Sequence, residues 1–299
     1  MSQTILIAGG SGLVGTELKK LLETQRYKVT ILSTQKSRCN GKETFYWNPA
    51  TQEIDENAIS SADYIVNLAG ETVVGRWTDA KKQLIIDSRT QSVSLINKSL
   101  ATVNNKVKAI CNASAIGIYG DCGANMIDES HKSKSDFLSK SCTAWEEAQK
   151  SQKAIRQATI RIGIVLSEKG GALAKMLPGF RMGLGLALGT GKQYMSWIHI
   201  DDLCRMILFS LENEEIEGYY NGVAPNPVTN NDFTALLNQR VKKVFFMLKV
   251  PAFVLRIAMG ESADILLSSQ RVSAKKIINK GFTFHYENLR PALQQLIPS

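Results

Sequence analysis

The first sixteen residues restrict the fold more than any other stretch of the chain. Thr4-Ile5-Leu6-Ile7-Ala8 is short, apolar and β-branched, the pattern of a strand buried on both faces. It runs into Gly9-Gly10-Ser11-Gly12-Leu13-Val14-Gly15 and then into Thr16-Glu17-Leu18-Lys19-Lys20-Leu21-Leu22, whose leucines recur at helical spacing. Strand, glycine turn and helix in direct succession are the setting of a dinucleotide-binding fingerprint. Gly9 allows a sharp turn off the strand, Gly12 lets backbone approach a pyrophosphate, and Gly15 lets the helix pack closely. The amides of Ser11, Leu13 and Val14, at the positive end of the helix, are then the expected diphosphate ligands. The spacing is G-x-x-G-x-x-G rather than G-x-G-x-x-G, and its bland alternative is a flexible turn.

At 299 residues the chain can bury a large core, as one domain or two intimately joined ones. Hydrophobic content of 44% and charged content of 21% suit a globular protein. The net charge of +9 comes from basic residues that look scattered along the sequence. No cationic run carries interleaved aromatics, so small anionic ligands are expected rather than nucleic acid. The five cysteines (39, 111, 122, 142 and 204) form no C-x-x-C pair, which argues against a disulfide framework or a metal site. The stretch Val244–Met259 is broken by Lys249, Pro251 and Arg256, too short and interrupted to span a bilayer. With the first strand starting at once, no signal peptide is read, and a cytoplasmic protein with no membrane association is expected.

Up to about Leu166 the pattern alternates strand and helix. Val29–Leu32 and Tyr64–Leu68 read as the second and third strands, and a helix follows from Thr78 to Leu100 with Leu84, Ile85, Ile96 and Leu100 towards the sheet. Lys108–Asn112 leads to Ser114 and a loop with Tyr119-Gly120; a helix covers Asp136 to Lys153, and Ala158–Ile162 is a strand. This alternation predicts an α/β fold, a doubly wound parallel sheet of Rossmann type, with ligands at the carboxyl ends of its strands. We divide the chain into a dinucleotide-binding domain over 1–166 and a smaller substrate-covering lobe over 167–299, interleaved with the last sheet elements at about 196–225. In that lobe Ser196–Ile200 reads as a strand feeding Asp201-Asp202, a helix N-cap. Tyr219–Val223 is a further strand, and Thr229 to Asp232 resembles a capping box.

A carboxylate at the end of the second strand would hold the adenosine ribose of NAD. Here that strand ends in Ser33-Thr34-Gln35-Lys36-Ser37-Arg38. Thr34, Lys36 and Arg38 are suited to a 2′-phosphate, so NADP(H) is expected in preference to NAD(H). The alternative is a solvated basic loop.

Several motifs together identify a family. They include Gly9–Gly15, Asn67-Leu68-Ala69-Gly70-Glu71, Arg76-Trp77-Thr78, Asp87-Ser88-Arg89, Ser114–Gly120, Trp145-Glu146 and Ser196–Leu203, with Gly281-Phe282-Thr283-Phe284 near the end. Over nearly its whole length the chain resembles the atypical short-chain dehydrogenase/reductases labelled nucleoside-diphosphate-sugar epimerase-like, some of which carry a cell-division-inhibitor label. The resemblance implies the extended short-chain dehydrogenase fold, with Leu68, Ala69 and Gly70 on the cofactor and Arg161 near the nicotinamide. Related extended enzymes carry a Tyr-x-x-x-Lys pair on one helix face, where Lys lowers the phenol's pKa and Tyr exchanges the proton. Matching the helix through Trp145-Glu146 puts Leu138 and Cys142 at those positions.

Ser114 looks like the retained catalytic serine, and Tyr119 is a second candidate phenol. Cys142 is either a small buried hydrophobe or a thiol beside the nicotinamide, which would need a depressed pKa. Glu71 is a candidate base or substrate-hydroxyl acceptor. Arg76 and Arg89 are candidates for an anionic substrate group, although Arg89 also suits a structural ion pair. His199 is either an acid/base or a histidine tying strand to helix. Two functions follow as expectations. One is an NADP(H)-dependent oxidoreductase or epimerase acting, as a monomer or homodimer, on a polar, nucleotide-sugar-like small molecule. The other is a non-catalytic NADP(H)-binding sensor.

Overall fold

The computed structural model describes residues 2–150, 154–242 and 246–298. At its centre lies an eight-stranded sheet. In chain order the strands are β1 (Thr4–Ala8), β2 (Lys28–Ser33), β3 (Thr44–Asn48), β4 (Glu53–Ile54), β5 (Tyr64–Asn67), β6 (Ala109–Ala115), β7 (Arg156–Ile162) and β8 (Gly218–Gly222). Across the sheet they run β8-β7-β6-β5-β1-β2-β3-β4. All neighbours are parallel except β4, which turns back antiparallel to β3. The winding reverses between β1 and β5, so the carboxyl ends of those strands frame the crevice where ligands of such sheets bind.

Alternation along β1 explains the two-sided core. Ile5 and Ile7 join one apolar cluster and Leu6 and Ala8 the other, all of them buried. Burying each large aliphatic side chain stabilises the fold by roughly 1.5–3 kcal/mol. The first cluster takes Leu18 and Leu22 of helix α1 (Leu13–Thr24), and the second takes Leu95, Ile96 and Leu100 of helix α2 (Asp79–Thr102). Helix α3 (Phe137–Gln149) covers the sheet beside α2, burying Cys142, Trp145, Glu146 and Gln149. Polar side chains set these starts: Thr78 caps α2 at Lys81 N–H, and Asp136 caps α3 at Ser139 N–H.

The second half adds helix α4 (Gly171–Arg181), α5 (Ile200–Glu212), α6 (Asn230–Val241), α7 (Ala252–Met259) and α8 (Leu289–Leu296). A two-stranded parallel ladder pairs Leu184–Leu188 with Phe246–Val250. Thr229 and Asp232 form the full capping box of α6.

Four details differ from the sequence reading. The β3–β4 hairpin lies in a stretch where the sequence reading has no strand, because Thr44–Asn48 is short and closely flanked by the turn residues Asn40-Gly41 and Pro49. Leu84 does not face the sheet: it is 49% exposed, one residue off the buried stripe led by Ile85. Helix α5 begins at Ile200 with His199 as its N-cap, so Asp201 and Asp202 lie in its first turn instead. Helix α3 ends at Gln149, and residues 151–153 of its expected range lie outside the described residues, as do Val244 and Phe245 of the late apolar stretch. No described helix is long and apolar enough to cross a membrane.

Candidate cofactor and substrate site

The turn from β1 into α1 is built for close backbone approach. Gly9 has φ +81°, and a Cβ there would lie 2.8 Å from the Leu68 carbonyl carbon at the end of β5. A Cβ on Gly15 would stand 2.4 Å from Gly9 O, so any larger residue pushes the helix off the turn. Gly12 is the N-cap of α1, no side chain caps that end, and its first turn holds no acid. Ser11 and Gly12 are exposed, Leu13 and Val14 half-buried. The positive end of α1 therefore faces outward beside Leu68, Ala69 and Gly70, with the orphaned buried donor Asn67 Nδ2 close by. These features fit a dinucleotide diphosphate.

At the end of β2, Thr34, Lys36 and Arg38 are all exposed. Lys36 Nζ sits 4.7 Å over the Tyr46 ring, and no ion pair among the described residues engages Lys36 or Arg38.

The carboxyl ends of β6, β7 and β8 carry a closed polar row. In register, Ser114 stands opposite Arg161, and Arg161 opposite Asn221. Glu146 of α3 ties them together. Ser114 Oγ donates to Glu146 Oε1 at 2.7 Å, and Arg161 grips the same carboxylate through Nε (2.9 Å) and Nη2 (2.8 Å). Arg161 Nη1 donates to Tyr119 Oη at 2.9 Å and to Glu129 O at 3.1 Å. Tyr119 Oη in turn donates to Asn221 Oδ1 at 2.7 Å, and Asn221 Nδ2 donates to Ser273 O at 3.0 Å. All five side chains are buried. Burial pulls the Arg161 guanidinium down, but its bonds to Glu146 and Tyr119 outweigh that and hold it above its ordinary value.

Three of the expected site residues are members of this row. Tyr119 is buried with its hydroxyl bonded to Asn221 and Arg161, and burial pushes it up to about 12 against the partial opposition of Arg161. Each guanidinium nitrogen of Arg161 is engaged by a protein partner. Ser114 is buried, with its hydroxyl proton given to Glu146. Cys142 is buried, and burial pushes the thiol up to about 12 despite Arg89 nearby, the opposite direction from an activated thiol.

Glu71, Arg76 and Arg89 are more accessible than the row, and His199 is not. Glu71 is half-buried and pairs with Lys81 Nζ at 2.7 Å, which holds its carboxyl below the usual range. Its backbone N–H donates to Ser88 Oγ at 2.9 Å. Arg76 is exposed. Arg89 lies against Gly70, with its guanidinium 5.0 Å over the Trp145 ring and Nη1 donating to Ile85 O at 2.9 Å. Burial lowers its pKa. His199 is wholly buried, pairs through Nε2 with Gln295 at 2.9 Å and accepts Asp201 N–H at Nδ1 (3.1 Å). Tyr286 stacks on its ring at 3.9 Å. It ties strand to helix, and burial holds its pKa down.

Sequence reasoning gave no role to Glu146 or Asn221. A signal for Glu146 exists: it falls on the core-facing stripe of α3 with Cys142, Trp145 and Gln149, where a carboxylate needs a buried partner.

Comparison with known proteins matches this arrangement to one family over most of its length. Residues 5–221 match the NAD dependent epimerase/dehydratase family, and residues 250–296 a Domain of unknown function (DUF1731). Epimerase family protein Mb2239 of Mycobacterium bovis is 36% identical over 293 residues, 97% of this chain and 96% of that protein. The chloroplastic SDR39U1 homolog of Arabidopsis thaliana is 34% identical over 303 residues, 98% of this chain and 86% of that one. The crystal structure of human epimerase family protein SDR39U1 (isoform 2) with NADPH superposes with a TM-score of 0.91 at 30% identity, covering 99% of both chains.

Proposed function

Because the chain belongs to the NAD dependent epimerase/dehydratase family, we propose that it binds NADP(H) and exchanges hydride with a small polar substrate, as an oxidoreductase or epimerase. The observation that carries this reading is the βα corner: an uncapped, acid-free helix end packed without Cβ atoms, next to the exposed cations Lys36 and Arg38. A 30%-identical protein solved with NADPH supports the same cofactor.

In this reading the amides of Ser11, Leu13 and Val14 hold the diphosphate, and Thr34, Lys36 and Arg38 hold the 2′-phosphate. Leu68, Ala69 and Gly70 wall the crevice opposite the corner. When bound, the nicotinamide supplies or accepts the hydride. With Tyr119 and Cys142 buried and protonated, and Leu138 at the usual tyrosine position, the proton passes through Glu71 or through water at its carboxylate. Lys81 orients that carboxylate, and Arg76 and Arg89 offer charge to an anionic substrate group.

The test loads purified protein with NADPH and follows nicotinamide absorbance against sugar nucleotides, aldehydes, ketones and quinones. Turnover that falls in Glu71→Gln and persists in Tyr119→Phe supports the assignment. The second reading, a non-catalytic NADP(H) sensor, is favoured by the occupation of the Tyr/Lys positions by Leu138 and Cys142. Tight NADPH binding with no oxidation across the panel decides for it.

A further inference from the structure

The charge of +9 is concentrated in one lobe rather than spread over the fold. Residues 169–192 and 233–260 contain nine Lys and Arg and no Asp or Glu. The remainder carries 36 − 9 = 27 cations against 27 anions and is neutral. These two segments are spatial neighbours, because Leu184–Leu188 pairs in parallel with Phe246–Val250. They build α4, the ladder and α7.

The same segments hold the largest share of misplaced apolar surface. Among the described residues, six of the ten exposed large hydrophobics fall there: Met182, Leu184, Leu248, Phe253, Val254 and Ile257. Ile257 and Met182 are 75% and 74% exposed, and no residue of α7 is buried. Phe253 and Ile257 are one helical turn apart and share a face. Arg181, Lys249 and Arg256 are exposed and alternate with these side chains along the chain. The nearest acids lie just past α7, Asp264 3.5 Å from Arg256 and Glu261 on Lys82; an apolar apron fringed by more cations than anions matches an interface of acyl chains beneath anionic headgroups. An acidic protein partner would answer the charge but not the aliphatic surface.

We propose that this face, α7 with the adjoining ladder edge, docks reversibly on an anionic membrane surface. This revises the expectation of no membrane association, which rested on the lack of a stretch able to span a bilayer. The far end of α7 reaches the candidate site: Lys82 Nζ pairs with Glu261 at 2.6 Å, and Arg76 packs against Gly260. Docking therefore sets the substrate side of the crevice beside the lipid.

The test is co-sedimentation of the full chain with phosphatidylcholine vesicles with and without phosphatidylglycerol. Binding is expected only with the anionic lipid and is lost in high salt. Lys249→Ala with Arg256→Ala is expected to weaken partitioning about thirtyfold, since each cation is worth roughly a factor of five at such a surface. Phe253→Ser with Ile257→Ser is expected to abolish it. A thermal melt identical to wild type shows that each variant is folded. Failure of the wild type to sediment with anionic vesicles overturns the proposal. So does a dimer in sedimentation velocity that Phe253→Ser with Ile257→Ser dissolves, or binding to poly-glutamate but not to vesicles. None of these readouts depends on turnover or on nucleotide binding, so the cofactor assignment stands or falls separately.

Discussion

The glycine corner and the Ser114–Arg161–Asn221 row lie on the same edge of one sheet, yet they treat their polar groups in opposite ways. At the corner, the amides of α1 have no side-chain cap, and Lys36 and Arg38 stand exposed. In the row, Glu146, Arg161, Tyr119 and Asn221 satisfy one another while buried. The row includes Ser114 and Tyr119, both expected from the sequence as catalytic candidates, with their hydroxyls committed to Glu146 and Asn221. In the proposed reading the open polar groups receive the dinucleotide, while those closed on each other tie strands and helix together.

The sharpest way to break this contrast is Glu146→Ala. It strands the Arg161 charge in the interior, and we expect a loss of about 3–5 kcal/mol in urea unfolding, with NADPH affinity of the folded protein kept. Unchanged stability with lost affinity would move the row into the site. Next in size, Lys36→Ala with Arg38→Ala is expected to weaken NADPH by roughly 10–100-fold, on the scale of lost charge-assisted bonds, while NADH is nearly unaffected. Equal weakening of both dinucleotides would remove the 2′-phosphate assignment. Tyr119→Phe deletes a hydroxyl bonded on two sides, and a loss of about 1–2 kcal/mol is expected; any turnover per folded molecule should survive.

Smaller still is a pH effect at His199. Its folded pKa is held below the unfolded value, so between the two the unfolded chain binds more protons. The neutral ring's contribution is complete above about pH 6.5 and is lost as pH falls towards the folded pKa. Wild type should lose urea stability more steeply than His199→Asn on acidification, and parallel curves would refute the assignment. Smallest is Cys142: with its thiol pushed up to about 12 and buried, maleimide at about pH 8 should label it only after unfolding.

Much of this was legible because local pattern and chemistry coincide. The β1–α1 corner was readable since a buried strand, a glycine turn and a leucine stripe are contiguous. The Thr229–Asp232 box was readable for the same reason. The closed row was not, because Ser114, Glu146 and Asn221 are brought together by sheet register and not by spacing. A candidate nucleophile or phenol looks the same in sequence whether its proton is free or committed, and Tyr119 is the clearest case. The basic apolar lobe was hidden likewise: its two segments lie some distance apart in the chain and meet only in the ladder.

Calorimetric titration of the full chain with NADPH, and separately with NADH, tests the central claim most directly. The account predicts one site per chain with NADPH the tighter ligand, and loss of that site in Gly15→Val while the folded core persists by circular dichroism. Absence of binding heat for both dinucleotides in the folded wild type would contradict it.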